Sequence, residues 1–343
     1  MVERGIVAPQ SSDEERLFEA SLRPRSLADF TGQAKLKLNL SIAIEAAKQR
    51  GEAMDHVLLY GPPGLGKTTL ATLIANELGS AFEQTAAPVL QKKLDLTGLL
   101  SNIRERQVFF IDEIHRLSPD VEEMLYSALE DFRVDILVGA GPGARTHSLP
   151  VPKFTAVGAT TRLGNISAPL RGRFGLMLRL DVYEPGELAG IVARSARILN
   201  LKIGDDAAGE IARRSRGTPR IANRLLRRVR DYAQVKAKGE MSKQIAVDAL
   251  DLLEVDPLGL DEIDRRIMLS ILEKFDGGPV GLNTLSSAVD EEPGTIEDVY
   301  EPYLIQQGFM DRTPRGRIAT ERAYDYFKVS RRKSLLDSQS SLF

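Results

Sequence analysis

Eight consecutive residues, GPPGLGKT at positions 61–68, fit the spacing G-x-x-x-x-G-K-[ST]. Each residue type has a reason to be there. Gly61, Gly64 and Gly66 let backbone N–H groups wrap around phosphates, Lys67 reaches the terminal phosphates, and the Thr68 hydroxyl can bind Mg²⁺. The strand-like HVLLY before the loop and the helix-like KTTLATLIANEL after it supply the strand-loop-helix context that a plain glycine-rich turn lacks.

A second set of acids follows where the apolar run VFFI ends in Asp112 and Glu113. At the carboxyl edge of a parallel sheet, Asp112 would complete the Mg²⁺ shell, and Glu113 would orient and deprotonate an attacking water. A third apolar run, KFTAVGA, ends in GATTR at 158–162, where one threonine can sense a terminal phosphate. Strand alternation does not choose between Thr160 and Thr161; Thr161 enters the candidate catalytic set. Arg171 and Arg173 follow in PLRGRFG, and Arg220 in GTPR. An arginine suits charge developing on a transferred phosphoryl group, and one supplied by a neighbouring subunit would make the active assembly an oligomer. Taken singly, each of these arginines also reads as a surface ion pair.

These residues require elements to hold them. Across 22–182, short β-branched and aromatic runs alternate with helical stretches, the pattern of βαβ units on a parallel sheet covered on both faces. After Glu184-Pro185-Gly186 the spacing turns helical, with breaks at Gly204 and Gly217 and no strong strand signal; Asp256-Pro257-Leu258-Gly259 then punctuates the chain. The expected organisation is an α/β phosphate-binding domain over 1–183, a small all-α domain over 184–255, a third domain over 256–330 and a flexible tail over 331–343.

At 343 residues, several domains are the ordinary expectation. Hydrophobic residues at 43% and charged residues at 27% exclude a disordered or fibrous chain. The absence of cysteine excludes disulfides and thiolate metal sites, and the three histidines are widely scattered. No secretory leader and no long apolar run is present, so the expected location is cytoplasmic, without a membrane partner. A formal net charge of −2 means that any nucleic-acid contact must be local.

With these motifs in this order, the chain resembles the AAA+ ATPases and, within them, the bacterial Holliday junction branch migration motors, over nearly its whole length. LRP at 22–24 with FTGQ at 30–33 is similar to the adenine-binding segment of that family. FFIDEIHRL resembles its Walker B strand, GATTR its sensor 1, PLRGRFG its arginine-finger segment, and GTPRIANRLLRRVRD its sensor 2 helix; IQQGFMDRTPRGRIAT is the most specific. The resemblance implies an AAA+ domain, an all-α lid and a C-terminal winged helix, ATP or ADP with Mg²⁺ as cofactors, and a hexameric ring on branched double-stranded DNA. It also implies RuvA as a partner and, with it, RuvC. Leu22 and Arg23 would frame the base, with Tyr183 and Arg220 closing on it. Gly64, Lys67, Thr68 and Thr69 would hold phosphates and metal, and Glu130, Asp131 and Phe132 would lie at the nucleotide site. One of Arg171 and Arg173 would be the finger, with Arg173 favoured for nucleotide contact and Arg171 as the neighbour-facing candidate.

Between Phe132 and Phe154, two apolar runs flank a Gly-Pro-Gly turn and read as a hairpin. The resemblance implies that its tip, including Ile136, Leu137 and Leu149, docks RuvA. In the third block, Thr295 is expected to start a helix over 296–306 with Asp298 as its capping acid. That helix carries Glu297, Asp298 and Glu301 but no Lys or Arg, and so is a poor reader of bases or phosphates. The following Arg312, Arg315 and Arg317 surround a tight turn and could span phosphates without selecting bases; the resemblance implies Arg312 and Arg317 as DNA contacts. Of the eight arginines of 213–230, Arg220 has its implied nucleotide role and part of the rest reads as surface ion pairs on a solvated helix face, not as a DNA site. The motor reading competes with an ATP-switched DNA-binding initiator or regulator of slow turnover, and the acidic helix argues for the motor.

Overall fold

The computed structural model describes residues 18–138 and 145–331. The first 17 residues, the Gly-Pro-Gly turn and all but the first residue of the expected tail lie outside the described residues. The chain divides into two compact units: residues 21–187 with 218–220 form one, and the remaining described residues form the other.

The first unit is built on seven strands: β1 Val57–Tyr60, β2 Phe82–Ala86, β3 Val108–Asp112, β4 Arg133–Val138, β5 Arg145–Pro150, β6 Thr155–Thr160 and β7 Leu176–Arg179. Five of them form one sheet in the order β2-β3-β6-β1-β7, every pair parallel. Residues of β1, β3 and β6 such as Leu58, Phe109 and Val157 are buried because the sheet is covered on both faces, which accounts for their near-continuous apolar runs. The register pairs Tyr60 with Thr160 and Ala86 with Asp112, so the chain leaves β1, β3 and β6 at one carboxyl edge. In open α/β sheets that edge is where ligands sit.

Strands β4 and β5 form the expected antiparallel hairpin, but its register moves one expected contact. Leu149 faces Val134, one pair from the base set by Arg133 and Pro150, so it is not at the tip. Ile136 pairs with His147 and packs, half-buried, against the main core, while Leu137 pairs with Thr146.

In the second unit the lid helices include Asp205–Arg213, Pro219–Lys236 (from Ile221 on) and Lys243–Leu252. They are joined by a parallel pair of two-residue strands, β8 Lys202–Ile203 and β9 Glu240–Met241. The sequence reading contained no strand here, because two residues are too few to display alternation. The reading of residues 213–230 as surface pairs also needs correction. Arg214 is 3% exposed and Arg216 6% exposed. Arg214 donates to Glu210, Asp251 and the Val255 carbonyl. Arg216 donates from Nε to the Gly259 carbonyl at 2.6 Å, ion-pairs with buried Asp264, and lies 4.8 Å from the Tyr303 ring. Burial raises the Asp264 carboxyl above the usual carboxylate range, against the pull of Arg216.

The third block is a winged helix. Helices Glu262–Leu269, Leu282–Val289 and Glu301–Gln306 pack around Ile267, Leu285, Ile296, Tyr300 and Phe309, and β10 Met310–Thr313 with β11 Gly316–Ala319 forms the wing. The helical run over 296–306 begins earlier than expected. It starts at Pro293, directly after Glu292, so Thr295 lies inside it. Proline fits the first helical position because its missing N–H would have no partner there. Among the described residues, no helix is long and apolar enough to cross a membrane.

Candidate nucleotide site and nucleic-acid interface

The loop after β1 is shaped by glycines that no other residue could replace without a shift. Gly61 has φ 142°, and a Cβ there would lie 2.4 Å from the Leu180 carbonyl oxygen; Gly64 has φ 79°, and its Cβ would meet Thr218 Cγ2 at 2.7 Å. Helix Lys67–Leu78 opens directly from this loop with no side-chain cap on its first amides. Those N–H groups and the positive end of the helix dipole make an anion site.

Lys67 is 8% exposed, and its Nζ donates to the carbonyls of Gly61 at 2.7 Å and Pro62 at 2.8 Å. Burial lowers its pKa to about 8; Asp112 opposes that shift and Arg220 adds to it. Thr68 Oγ1 donates to Asp112 Oδ2 at 3.4 Å, so the two oxygens expected to share a metal face each other. These residues fit a Mg²⁺-nucleotide: a carbonyl-held cation, a backbone cradle and a hard oxygen pair.

Asp112 Oδ1 accepts from the Glu113 amide at 2.9 Å. Glu113 itself sits at φ 50°, a strained setting for a non-glycine residue, and its carboxylate accepts from Arg116 Nη1 at 2.8 Å. The sequence reading missed Arg116, although its i,i+3 spacing from Glu113 was visible. At the end of β6 the two threonines separate. Thr160 is 1% exposed, its hydroxyl 3.0 Å from His115 Nδ1 and accepting from the Arg162 amide. Thr161 is exposed beyond the strand. The Thr160 hydroxyl is therefore committed internally, whereas Thr161 is open to solvent.

Two other candidates, Arg220 and Tyr183, touch the phosphate loop. The Arg220 amide donates to the Gly64 carbonyl at 3.4 Å, and the Arg220 side chain is exposed. Tyr183 is buried, its hydroxyl 3.4 Å from the Leu65 carbonyl. Leu22 is buried, Arg23 is exposed, and Thr69 is half-buried in the first helical turn. Glu130 and Arg173 form a different group, paired with each other at 2.6 Å. Arg173 also donates to the Pro169 carbonyl at 2.7 Å and lies 4.5 Å from the Tyr126 ring centroid. Asp131 caps the helix ending at Glu130, and Phe132 packs edge-on to Phe154. Arg171 is half-buried.

In the wing, Arg315 is exposed at the turn. Arg312 ion-pairs with Glu297 and, through Nε at 3.1 Å, with Glu301. Arg317 reaches the other oxygen of Glu301, which is 1% exposed. Two of the three wing arginines are thus held by acids of the preceding helix, a pairing that sequence reasoning missed because 11 to 16 residues separate the partners.

A phosphate loop at the carboxyl edge of a five-stranded parallel sheet, followed by a lid and a winged helix, defines a P-loop ATPase of the AAA+ class. Residues 22–180 match the Holliday junction DNA helicase RuvB P-loop domain, 183–256 the RuvB AAA lid domain and 257–328 the RuvB C-terminal winged helix domain. The chain is 72% identical over 332 residues to the Holliday junction branch migration complex subunit RuvB of Solibacter usitatus, covering 97% of this chain and 96% of that one. It is 60% identical to its namesake from Koribacter versatilis, covering 98% and 93%. Among solved structures, the Thermotoga maritima RuvB Holliday junction branch migration motor superposes with a TM-score of 0.83 at 50% identity, covering 90% of this chain and 99% of that one. The chain belongs to the RuvB family.

Proposed function

We propose that the chain is an ATP-driven motor for branch migration of Holliday junctions in recombination and repair, working as a homo-oligomeric, hexameric ring with RuvA and, at the same junction, RuvC. The observation that carries this reading is the carbonyl-held Lys67 in the glycine cradle, facing the Thr68 and Asp112 oxygens, on a chain matched by the RuvB family over nearly its full length. The division of labour is an ATPase domain over 1–183, a lid over 184–255 and a winged helix over 256–330.

In this reading Gly61, Gly64, Gly66, Lys67, Thr68 and Thr69 bind the phosphates of ATP, and Leu22, Arg23, Tyr183 and Arg220 enclose the base. Thr68 and Asp112 hold Mg²⁺, which when bound neutralises phosphate charge and orients the terminal phosphoryl group. Glu113 takes the proton of the attacking water, and Thr161 positions the terminal phosphate from the next strand. Arg173, held by Glu130, the Pro169 carbonyl and the Tyr126 ring, is preferred here over Arg171, the neighbour-facing candidate in the sequence, as the residue that faces the nucleotide of a neighbouring copy, with Asp131 and Phe132 beside it. Arg312, Arg315 and Arg317 touch DNA phosphates, which suits movement along any sequence. The hairpin, through Ile136, Leu137 and Leu149, meets RuvA. A cytoplasmic location agrees with these partners.

The test is dissociation of a synthetic four-way junction. ATP and RuvA should support it, and E113Q should abolish it. Equal action on linear duplex without RuvA, or none on the junction, would remove the reading.

A further inference from the structure

One aromatic residue beside Arg173 has no place in the reading so far. On helix Pro119–Glu130, Glu122, Tyr126 and Glu130 are spaced four apart and share one face. The Tyr126 ring lies under the Arg173 guanidinium at 4.5 Å. Its hydroxyl donates to Glu122 Oε1 at 2.5 Å and is 2.9 Å from Ser167 Oγ, which also bonds Glu122. Ser167 in turn caps the short helix Ala168–Arg171, accepting from the Leu170 amide at 3.2 Å. The ring is therefore fastened both to its own helix and to the start of the segment that delivers Arg173.

This arrangement adds to the Glu130 ion pair two contacts of a different kind. Beside its ion pair with Glu130, the guanidinium rests on an aromatic face and the Pro169 carbonyl, contacts that hold it in place without themselves cancelling its charge. A cation that must stabilise developing phosphoryl charge needs placement without neutralisation. Burial and the Glu122 bond both raise the Tyr126 pKa, so the phenol stays neutral at working pH.

We propose that Tyr126 is a positioning residue for Arg173, presetting its guanidinium for the nucleotide bound by a neighbouring copy. The proposal rests on the reading of Arg173 as a residue acting across the subunit boundary.

Single-turnover ATP hydrolysis by full-length chains with DNA tests it. Y126A should lose on the order of 10- to 100-fold in rate, the range expected when a catalytic group is misplaced by about 1 Å, with KM for ATP within about twofold. Y126F keeps the aromatic face but loses the bonds to Glu122 and Ser167, and should fall between the parent and Y126A. Mixing gives the decisive readout. E113Q chains cannot hydrolyse their own ATP but present an intact Arg173, so adding them to Y126A chains should restore hydrolysis at the Y126A sites; R173A chains should be restored in the same way. Full activity of Y126A, or rescue of R173A without rescue of Y126A, overturns the Tyr126 assignment alone. Failure to rescue R173A overturns the cross-subunit reading and the Tyr126 assignment with it.

Discussion

The phosphate loop and the wing both carry cations proposed to meet phosphate, and they hold them by opposite means. Lys67 is fixed by two backbone carbonyls, neutral acceptors that orient its ammonium without cancelling it. Arg312 and Arg317 are fixed by Glu297 and Glu301, which orient and neutralise at once. Carbonyl-held charge in a buried site keeps its full strength for a bound anion, whereas a carboxylate-held guanidinium is already largely neutralised, whether half-exposed as at Arg312 or mostly buried beside Glu301 as at Arg317. A motor needs both: a tight grip on its fuel and a light one on its track.

The contrast fails outright if K67A leaves turnover intact. Hydrolysis should fall by about 10³-fold or more, measured as phosphate release. E113Q should lose about 10²- to 10⁴-fold in the same assay while ADP affinity stays unchanged, which separates chemistry from binding. Next in size is the buried charge group of the second unit. R216M strands Asp264 in the interior and should cost about 3–5 kcal/mol of stability, read as a lower urea midpoint. On the wing, R315A should reduce the slope of log affinity for random duplex against log salt by about 1. E297Q removes a neutralising acid and should tighten duplex binding by about threefold, a gain consistent with one weakly screened charge; weaker binding would mean that Glu297 only orients Arg312.

The smallest effect is a proton. With its pKa lowered to about 8, Lys67 is partly neutral in the free site above that pH, and bound phosphates favour its charged form. ADP binding near pH 8.5 should therefore take up a fraction of a proton, seen as a binding enthalpy that changes with buffer. The sign for folding is opposite to the usual gain from an ion pair. Between about 8 and the ordinary lysine value of 10.5, the unfolded chain holds more protons, so the stability contribution of this site rises with pH.

The phosphate site was legible in the sequence because its parts are contiguous: loop, strand-end acids and strand-end threonines each carry their own local pattern. The winged helix could be read from its helices and basic turn, but the acids that hold Arg312 and Arg317 are joined to them only by folding. Leu149 was misplaced because hairpin register depends on counting across a turn, and one pair decides base or tip. Arg214 and Arg216 looked like a solvated face because nothing local reveals a buried carboxylate such as Asp264, 48 residues on from Arg216. Tyr126 could have been found from its four-residue spacing to Glu122 and Glu130.

Arg216 also bears on how such chains can be recombined. Its guanidinium belongs to the lid by sequence, yet the Gly259 carbonyl, Asp264 and the Tyr303 ring that receive it belong to the winged helix. A winged helix grafted from a relative would have to bring a matching pocket, or leave a charge buried with no counterpart. The C-terminal module is thus less a detachable cassette than half of a lock whose key is carried by the lid.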